Sequence, residues 1–192
     1  MARKTSYRQQ RNVIPTVIGA GITERWYFAH LQNIMGYRMK IRPRFFGTES
    51  LAAIDKKVAE VLRDGGEAIC VFDADVASWN ETERSKLSAF KAKYLKNNHV
   101  LICDSLPSVE YWFLLHYSDS TRHYSSSRDV ITSLRKFIPA FDKKEAFLQN
   151  EKWVVRLCAN GRLQQACTRA RIERAQGQPY SNVYKAIDKL SE

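Results

Sequence analysis

The chain has 192 residues, 44% of them apolar and 27% charged, which excludes a disordered chain and fits one domain with at most a small appendage. Its 31 Lys and Arg against 20 Asp and Glu leave a formal charge of +11, which disfavours an acidic-surface protein and favours a polyanionic partner such as nucleic acid; a generally basic surface is the plain alternative. The longest apolar runs, such as 68–72 and 111–115, fall far short of the ~20 residues that cross a bilayer, so no membrane is expected.

Residues 1–12 hold Arg3, Lys4, Arg8 and Arg11 with no acid, which predicts a loose basic arm with no signal-peptide apolar region behind it. The β-branched run 13–18 reads as a buried strand entering a tight turn at Gly19-Ala20-Gly21, where the glycines permit positive φ. A helix follows over 23–35, with Thr23 as its candidate cap and Glu24 in its first turn. Over 37–45 a basic residue stands at every even position, so Arg38, Lys40, Arg42 and Arg44 share one face of a strand. Pro43 marks that strand as an edge, and its charges serve either phosphate contact or protection against edge pairing.

Helical spacing over 49–63 stops at Gly65-Gly66, and 67–72 is a short strand ending in Asp73-Ala74-Asp75. Asn80 and Glu83 form a capping pair for a helix to about 96. A strand at 99–103 turns through Ser105-Leu106-Pro107-Ser108 into a helix over 109–117. This β-α alternation predicts an α/β fold with a mainly parallel sheet and helices on both faces. Beyond a polar loop at 118–127 only helices are expected, at 128–138, 143–158, 161–175 and 181–190. Cys70, Cys103, Cys158 and Cys167 are far apart without a C-x-x-C pair, so neither a zinc site nor a disulfide framework is expected, and the compartment is expected to be reducing and cytoplasmic.

Acids follow three of the four predicted strands. Asp73 and Asp75 leave the third strand, and if extended geometry persists through Ala74 both point one way and share a divalent ion; helix capping is their ordinary alternative. Glu24 follows the first strand, and Glu110 follows the fourth inside an apolar helix, where an unpartnered acid costs several kcal/mol. His116, later on that helix, reads as a structural helix-end histidine. Several carboxylates meeting in a basic protein point to metal-dependent phosphodiester hydrolysis.

The strings GAGITERWYF, FDAD and SLPSVEYWFLLHY, in that order, resemble the RloB-like proteins of the topoisomerase-primase (Toprim) superfamily, which also holds the OLD nucleases. The later FDKKEAF and PYSNVYKAI fit more loosely, and the likeness spans about 13–190. It implies a Toprim-like domain over 13–117 with a helical part over 118–192 packed on it. It further implies a Mg²⁺- or Mn²⁺-dependent nuclease of anti-phage defence, with a partner ATPase of the ABC/SMC type; a homodimer stays open. By this resemblance Asp73, Asp75 and Glu24 hold metal, Glu110 is the acid of a Pro-x-x-Glu-x-Trp motif, and Lys143 offsets charge on the reacting phosphate. The family reads E-G-x-T-E after its first strand, whereas this chain has Ala20 in place of that first glutamate. The expected catalytic acid is thus missing, which implies either a degenerate, binding-only member or an inactivated variant. The competing expectation is a non-catalytic nucleic-acid-binding or partner-docking subunit. It would use Arg38, Lys40, Arg42 and Arg44 with Arg162, Arg169, Arg171 and Arg174 as phosphate contacts.

Overall fold

A computed structural model of the chain describes residues 13–42, 50–75, 80–119, 122–172 and 175–192. The apolar run at the start forms β1 (Thr16–Gly19), buried along its whole length. It pairs in parallel with β2 (Lys40–Arg42) on one side and β3 (Ala68–Asp73) on the other. β4 (Val100–Leu106) continues the parallel sheet beside β3, and β5 (Tyr180–Ser181) closes it antiparallel to β4. The order is β2-β1-β3-β4-β5. The expected α/β fold, a mainly parallel sheet flanked by helices with further helices at the C-terminal end, is what the chain forms.

Side-chain alternation gives the sheet two apolar faces. Val17, Ile69 and Val71 join one buried cluster, while Ile18, Ala68, Cys70 and Phe72 join another. Helix α1 (Ile22–Met35) covers the first face with Tyr27, Phe28 and Leu31, and ends at Gly36, whose φ of 71° is the left-handed stop that glycine adopts without strain. Helices α2 (Leu51–Arg63) and α3 (Glu81–Tyr94) cover the second face through Ile54, Val58 and Phe90. Ser50 caps α2 and Asn80 caps α3; Glu83, expected as the partner in a capping box, instead pairs with Lys86 at 2.6 Å.

The placement of these helices follows from the order of the strands. The chain leaves β1 toward β2, then crosses back over β1 to reach β3, and right-handed crossovers in opposite directions put α1 and α2 on opposite faces. Where the direction reverses, between the carboxyl ends of β1 and β3, a crevice opens for ligands.

Helix α4 (Glu110–Leu115) is completely buried. Against it pack α5 (Ser127–Leu134) and α8 (Arg162–Ala170), while α6 (Glu145–Leu148) and α7 (Lys152–Cys158) lie on α1, and α9 (Val183–Leu190) lies on β4 and α8. Phe141, Trp153, Leu157 and Ile187 from this part share one cluster with Tyr27 and Trp112, so the C-terminal helices complete the core on the α1 side. The single helix expected over 143–158 is two, because Asn150 accepts a hydrogen bond from the Lys152 amide and starts α7 afresh. The helix expected over 181–190 yields its start to β5. The reason is Asp104, which is 2% exposed and holds this segment to β4. Its carboxylate accepts from Lys91 Nζ (2.6 Å), Tyr180 Oη (2.6 Å) and Asn182 Nδ2 (2.8 Å), while its carbonyl accepts from the Asn182 amide (2.8 Å). No helix among the described residues is long and apolar enough to cross a membrane.

Burial opposes the charge on Asp104, but Lys91 and the Tyr180 and Asn182 donors outweigh it and hold its carboxyl below the usual range. Asp104→Ala strands those donors and is expected to cost about 2–3 kcal/mol in urea unfolding at neutral pH. Because the folded pKa is depressed, this contribution is present above the unfolded value near 4 and is lost as pH falls through the folded one. The stability difference between the two proteins is expected to narrow in acid.

Candidate active site

The crevice at the strand reversal is lined by carboxylates from three strand ends. Glu24 sits in the first turn of α1, just beyond β1, and is buried. The local backbone differs from the sequence expectation: neither Gly19 nor Gly21 has a positive φ, and Thr23 does not cap the helix but is buried within its first turn. The glycines are needed for room. A Cβ on Gly21 would lie 3.0 Å from Glu24 Oε2, and one on Gly19 would lie 3.1 Å from Glu24 Cβ. Glu24 therefore folds back over its own turn, against the backbone of Gly21 and of Glu24 itself.

Asp73 is the last residue of β3, and its Oδ1 accepts a hydrogen bond of 2.7 Å from the Val109 amide at the entrance to α4. Glu110, the first residue of α4, is 0% exposed. Its Oε1 lies 2.9 Å from Lys143 Nζ, and its Oε2 is buried with no hydrogen-bond partner among the described residues. Lys143 arrives from the connection between α5 and α6, with 43% of its side chain exposed.

These four side chains feel one another. Burial raises the Glu24 carboxyl to about 7, and the negative charge of Glu110 adds to the rise; Lys143 and the local amides oppose it. Burial also pushes Asp73 well above its ordinary range, with Glu24 and Glu110 pushing the same way. Burial pulls the Lys143 ammonium down, but Glu110, Asp73 and Glu24 together overcome that and raise it. Lys143 is thus the common counter-charge of an otherwise repulsive group of acids.

Asp75 lies beyond the strand that carries Asp73. Strand geometry ends at Asp73: the Ala74 amide still bonds to Ser105 O at 2.8 Å, but Asp75 is no longer extended, and 76–79 lie outside the described residues. The condition for two carboxylates pointing one way is therefore not met by the strand. Ala20, just past β1, donates its amide to Val71 O at 3.0 Å and packs against the buried cluster that holds Ile18 and Phe72. Among the described residues no group of three or more His, Cys, Asp or Glu stands close enough to form a metal shell. His116 is buried, its Nδ1 bonded to Trp112 O at 2.9 Å, and burial drives its pKa down to about 3, in keeping with a structural histidine.

The basic residues are distributed differently from the acids. Along 38–42 the alternation holds: Arg38, Lys40 and Arg42 are exposed while Met39 and Ile41 turn to the core, and Arg42 approaches Glu60 of α2 at 3.8 Å. Arg169 donates to Leu115 O at 2.6 Å, Arg162 donates to Arg156 O at 3.0 Å, and Arg171 pairs with Asp188 at 2.5 Å. Arg44, Arg174 and the basic arm over 1–12 lie outside the described residues.

A family model described as RloB-like protein matches residues 15–190, nearly the whole chain. No curated protein and no solved structure matches it.

An acid whose folded pKa is raised keeps its proton longer in the folded than in the unfolded chain, so stability falls as pH climbs between the two values. For Glu24 that window runs from about 4.5 to about 7. The metal-free protein is expected to lose stability on the order of 3 kcal/mol across it in urea titrations at a series of pH values. Glu24→Gln is expected to flatten that slope, and an unchanged slope would show that Glu24 does not titrate as the geometry requires.

Proposed function

We propose, for a chain that belongs to the RloB-like protein family, a metal-dependent nuclease site at the strand-reversal crevice, with nucleic acid as its substrate. The observation that carries this reading is the convergence of Glu24, Asp73 and Glu110, from three strand ends, on the ammonium group of Lys143. Several acids buried together around one ammonium group are costly to the fold, and groups with displaced pKa values gather where chemistry is done.

The donors suit a hard divalent cation. All are carboxylate oxygens, and Glu110 Oε2 is buried without a hydrogen-bond partner among the described residues. Mg²⁺ keeps several waters and needs only one or two carboxylates, so the lack of a three-acid shell among the described residues is compatible with it. Asp73 and Glu24 would hold the ion, with Asp75 reaching in from the following turn. When bound, Mg²⁺ or Mn²⁺ supplies Lewis-acid stabilisation of the phosphate and activation of a water. Glu24, with its pKa near 7 in the metal-free chain, gives up its proton when the ion binds, so metal uptake at this site strengthens as pH rises through neutrality. Lys143, partly exposed and strongly protonated, offsets negative charge on a phosphate at the rim while steadying Glu110.

The wider kinship with the Toprim superfamily and the OLD nucleases belongs to the same proposal. So do a role in anti-phage defence in the cytoplasm and control by a partner ATPase of the ABC/SMC type. Ala20 occupies the position where the family carries the first catalytic glutamate, so this chain is proposed to bind metal and nucleic acid but to cut poorly. Ala20 and the counter-charge from Lys143 also favour a second reading, a subunit that binds nucleic acid without cutting it.

The deciding experiment offers tRNA and plasmid side by side, with Mg²⁺ or Mn²⁺, to Ala20→Glu and to Ala20→Glu combined with Asp73→Asn. The expected result is metal-dependent cleavage by the first and a loss of at least about a hundredfold in the second. A Mn²⁺-dependent rise in melting temperature, absent from Asp73→Asn, is the readout independent of activity. A well-folded Ala20→Glu protein that takes up no metal and cuts neither substrate sinks the nuclease reading. Salt-dependent binding unchanged by Asp73→Asn would then establish the binding subunit.

A further inference from the structure

At the far end of α4 from Glu110 lies an aromatic group that the acid cluster does not use. Tyr117 follows that helix, and Phe137, in the turn after α5, stacks on its ring with centroids 4.9 Å apart and planes 7° apart. The Arg162 guanidinium lies 5.2 Å from the centre of the same Tyr117 ring. Phe137 remains 42% exposed. One exposed phenylalanine on a surface is ordinary. What sets this one apart is that its ring is held flat on a tyrosine that an arginine also covers, among charges of one sign. The charged groups acting on Tyr117 are Arg162 and Arg156, and those acting on the adjoining His116 are Arg169 and Arg162. Lys136, next to Phe137, is exposed as well.

Part of this charge has a structural duty. Arg169 bonds to the Leu115 carbonyl, satisfying the negative end of a helix that has no basic residue in its own last turn. Arg162 likewise donates to the Arg156 carbonyl at 3.0 Å, but neither bond explains the exposed ring stacked on Tyr117 beside that guanidinium. An aromatic face beside several arginines is how proteins hold unpaired bases and the phosphates flanking them, because every base has a π-face and every link carries charge. Arginine suits this work since its planar head stacks on rings while keeping its charge.

The position fits the same substrate. Glu110 opens α4 and Tyr117 lies two residues past its end, about 10 Å along the helix direction, or roughly three stacked nucleotides. The connection from α5 to α6 carries both Phe137 and Lys143, the cation of the acid cluster. We propose that Phe137, stacked on Tyr117 beside Arg162, is a platform for an unpaired base of a single-stranded nucleic-acid segment, with Arg156 and Arg162 holding its phosphates. This rests on the reading of the chain as a nucleic-acid-binding protein and narrows it: the preferred substrate is single-stranded, or looped, rather than continuous duplex.

The test measures fluorescence anisotropy of a labelled oligouridine and of a labelled RNA duplex against the full chain, Phe137→Ala and Phe137→Trp, at low salt and without divalent ions. Phe137→Ala is expected to weaken oligouridine binding about tenfold and to leave duplex binding unchanged, while Phe137→Trp restores the loss. Equal oligouridine binding by the wild-type chain and Phe137→Ala overturns the platform and leaves the nucleic-acid reading standing. Binding of neither probe by any form overturns both. Sedimentation of the same proteins covers the remaining alternative: if Phe137→Ala turns a dimer into a monomer with no change in oligouridine binding, the exposed ring is a contact between copies and the proposal fails.

Discussion

Three carboxylates brought into one buried crevice repel one another, and the fold tolerates them because Lys143 supplies a cation that all three share. Burial alone would favour neutralising the acids, and it does raise Glu24 and Asp73. The lysine comes from the C-terminal part of the chain, between α5 and α6. The crevice is therefore not finished when the parallel strands have formed; it is completed only when the helices beyond residue 122 dock. This gives the C-terminal part a role beyond filling space on the α1 side. The same connection that brings Phe141 into the core delivers the ammonium group that makes Glu110 bearable at zero exposure.

The sheet determines where that balance is struck. Parallel strands place their carboxyl ends together, and the reversal between β1 and β3 prevents the crossover helices from covering that edge. Glu24 and Asp73 occupy the two strand ends that flank the reversal, while Glu110 comes from β4 next door. Backbone contacts then set the orientations. The Val109 amide fixes one oxygen of Asp73, and the absence of side chains at Gly19 and Gly21 lets Glu24 lie back over its turn. Elsewhere the same physics is resolved without reactivity. Asp104 is as buried as these acids, yet it has two neutral donors and Lys91, and its pKa goes down rather than up. A satisfied acid holds the edge of the sheet together; an acid with an unused oxygen marks the place where a ligand belongs.

The α/β alternation was legible because the apolar runs 13–18 and 67–72 and the helical spacing of 23–35 and 49–63 are strong local patterns. The rest depended on partners distant in sequence. Nothing in residues 143–158 announces that Asn150 will interrupt the helix, since the interruption rests on a side chain bonding to a backbone amide two residues on. β5 is two residues long, and what holds it to the sheet is Asp104, some 76 positions away. The acids were readable by their place after strands, whereas Lys143 came to notice only through resemblance: one lysine in Asp142-Lys143-Lys144 has no spacing that distinguishes it from its neighbour. Gly19 and Gly21 read in the sequence as a turn with positive φ, whereas neither has one and what they provide is the room Glu24 needs. Phe137 gave no signal, because an aromatic at the end of an amphipathic helix reads as core until its exposure is seen.

Position 20 follows from the same balance of charge. A glutamate there would stand at the end of β1, beside strand ends that already carry Glu24 and Asp73, and would add a fourth negative charge to a crevice with one lysine. In the metal-free chain such a residue raises the cost of folding, through the same desolvation and repulsion that lift Glu24 and Asp73. Alanine carries no such cost and packs against the buried cluster that holds Ile18 and Phe72, with its backbone bond to Val71 in place. The fold therefore loses nothing at this position when the acid is gone, and gains some ease. Under the proposed nuclease reading, a carboxylate at position 20 would set stability of the fold against what it does with a bound cation and a phosphate. That the neighbouring acids persist, at continuing cost to the metal-free fold, argues that the crevice is built for a ligand rather than for packing.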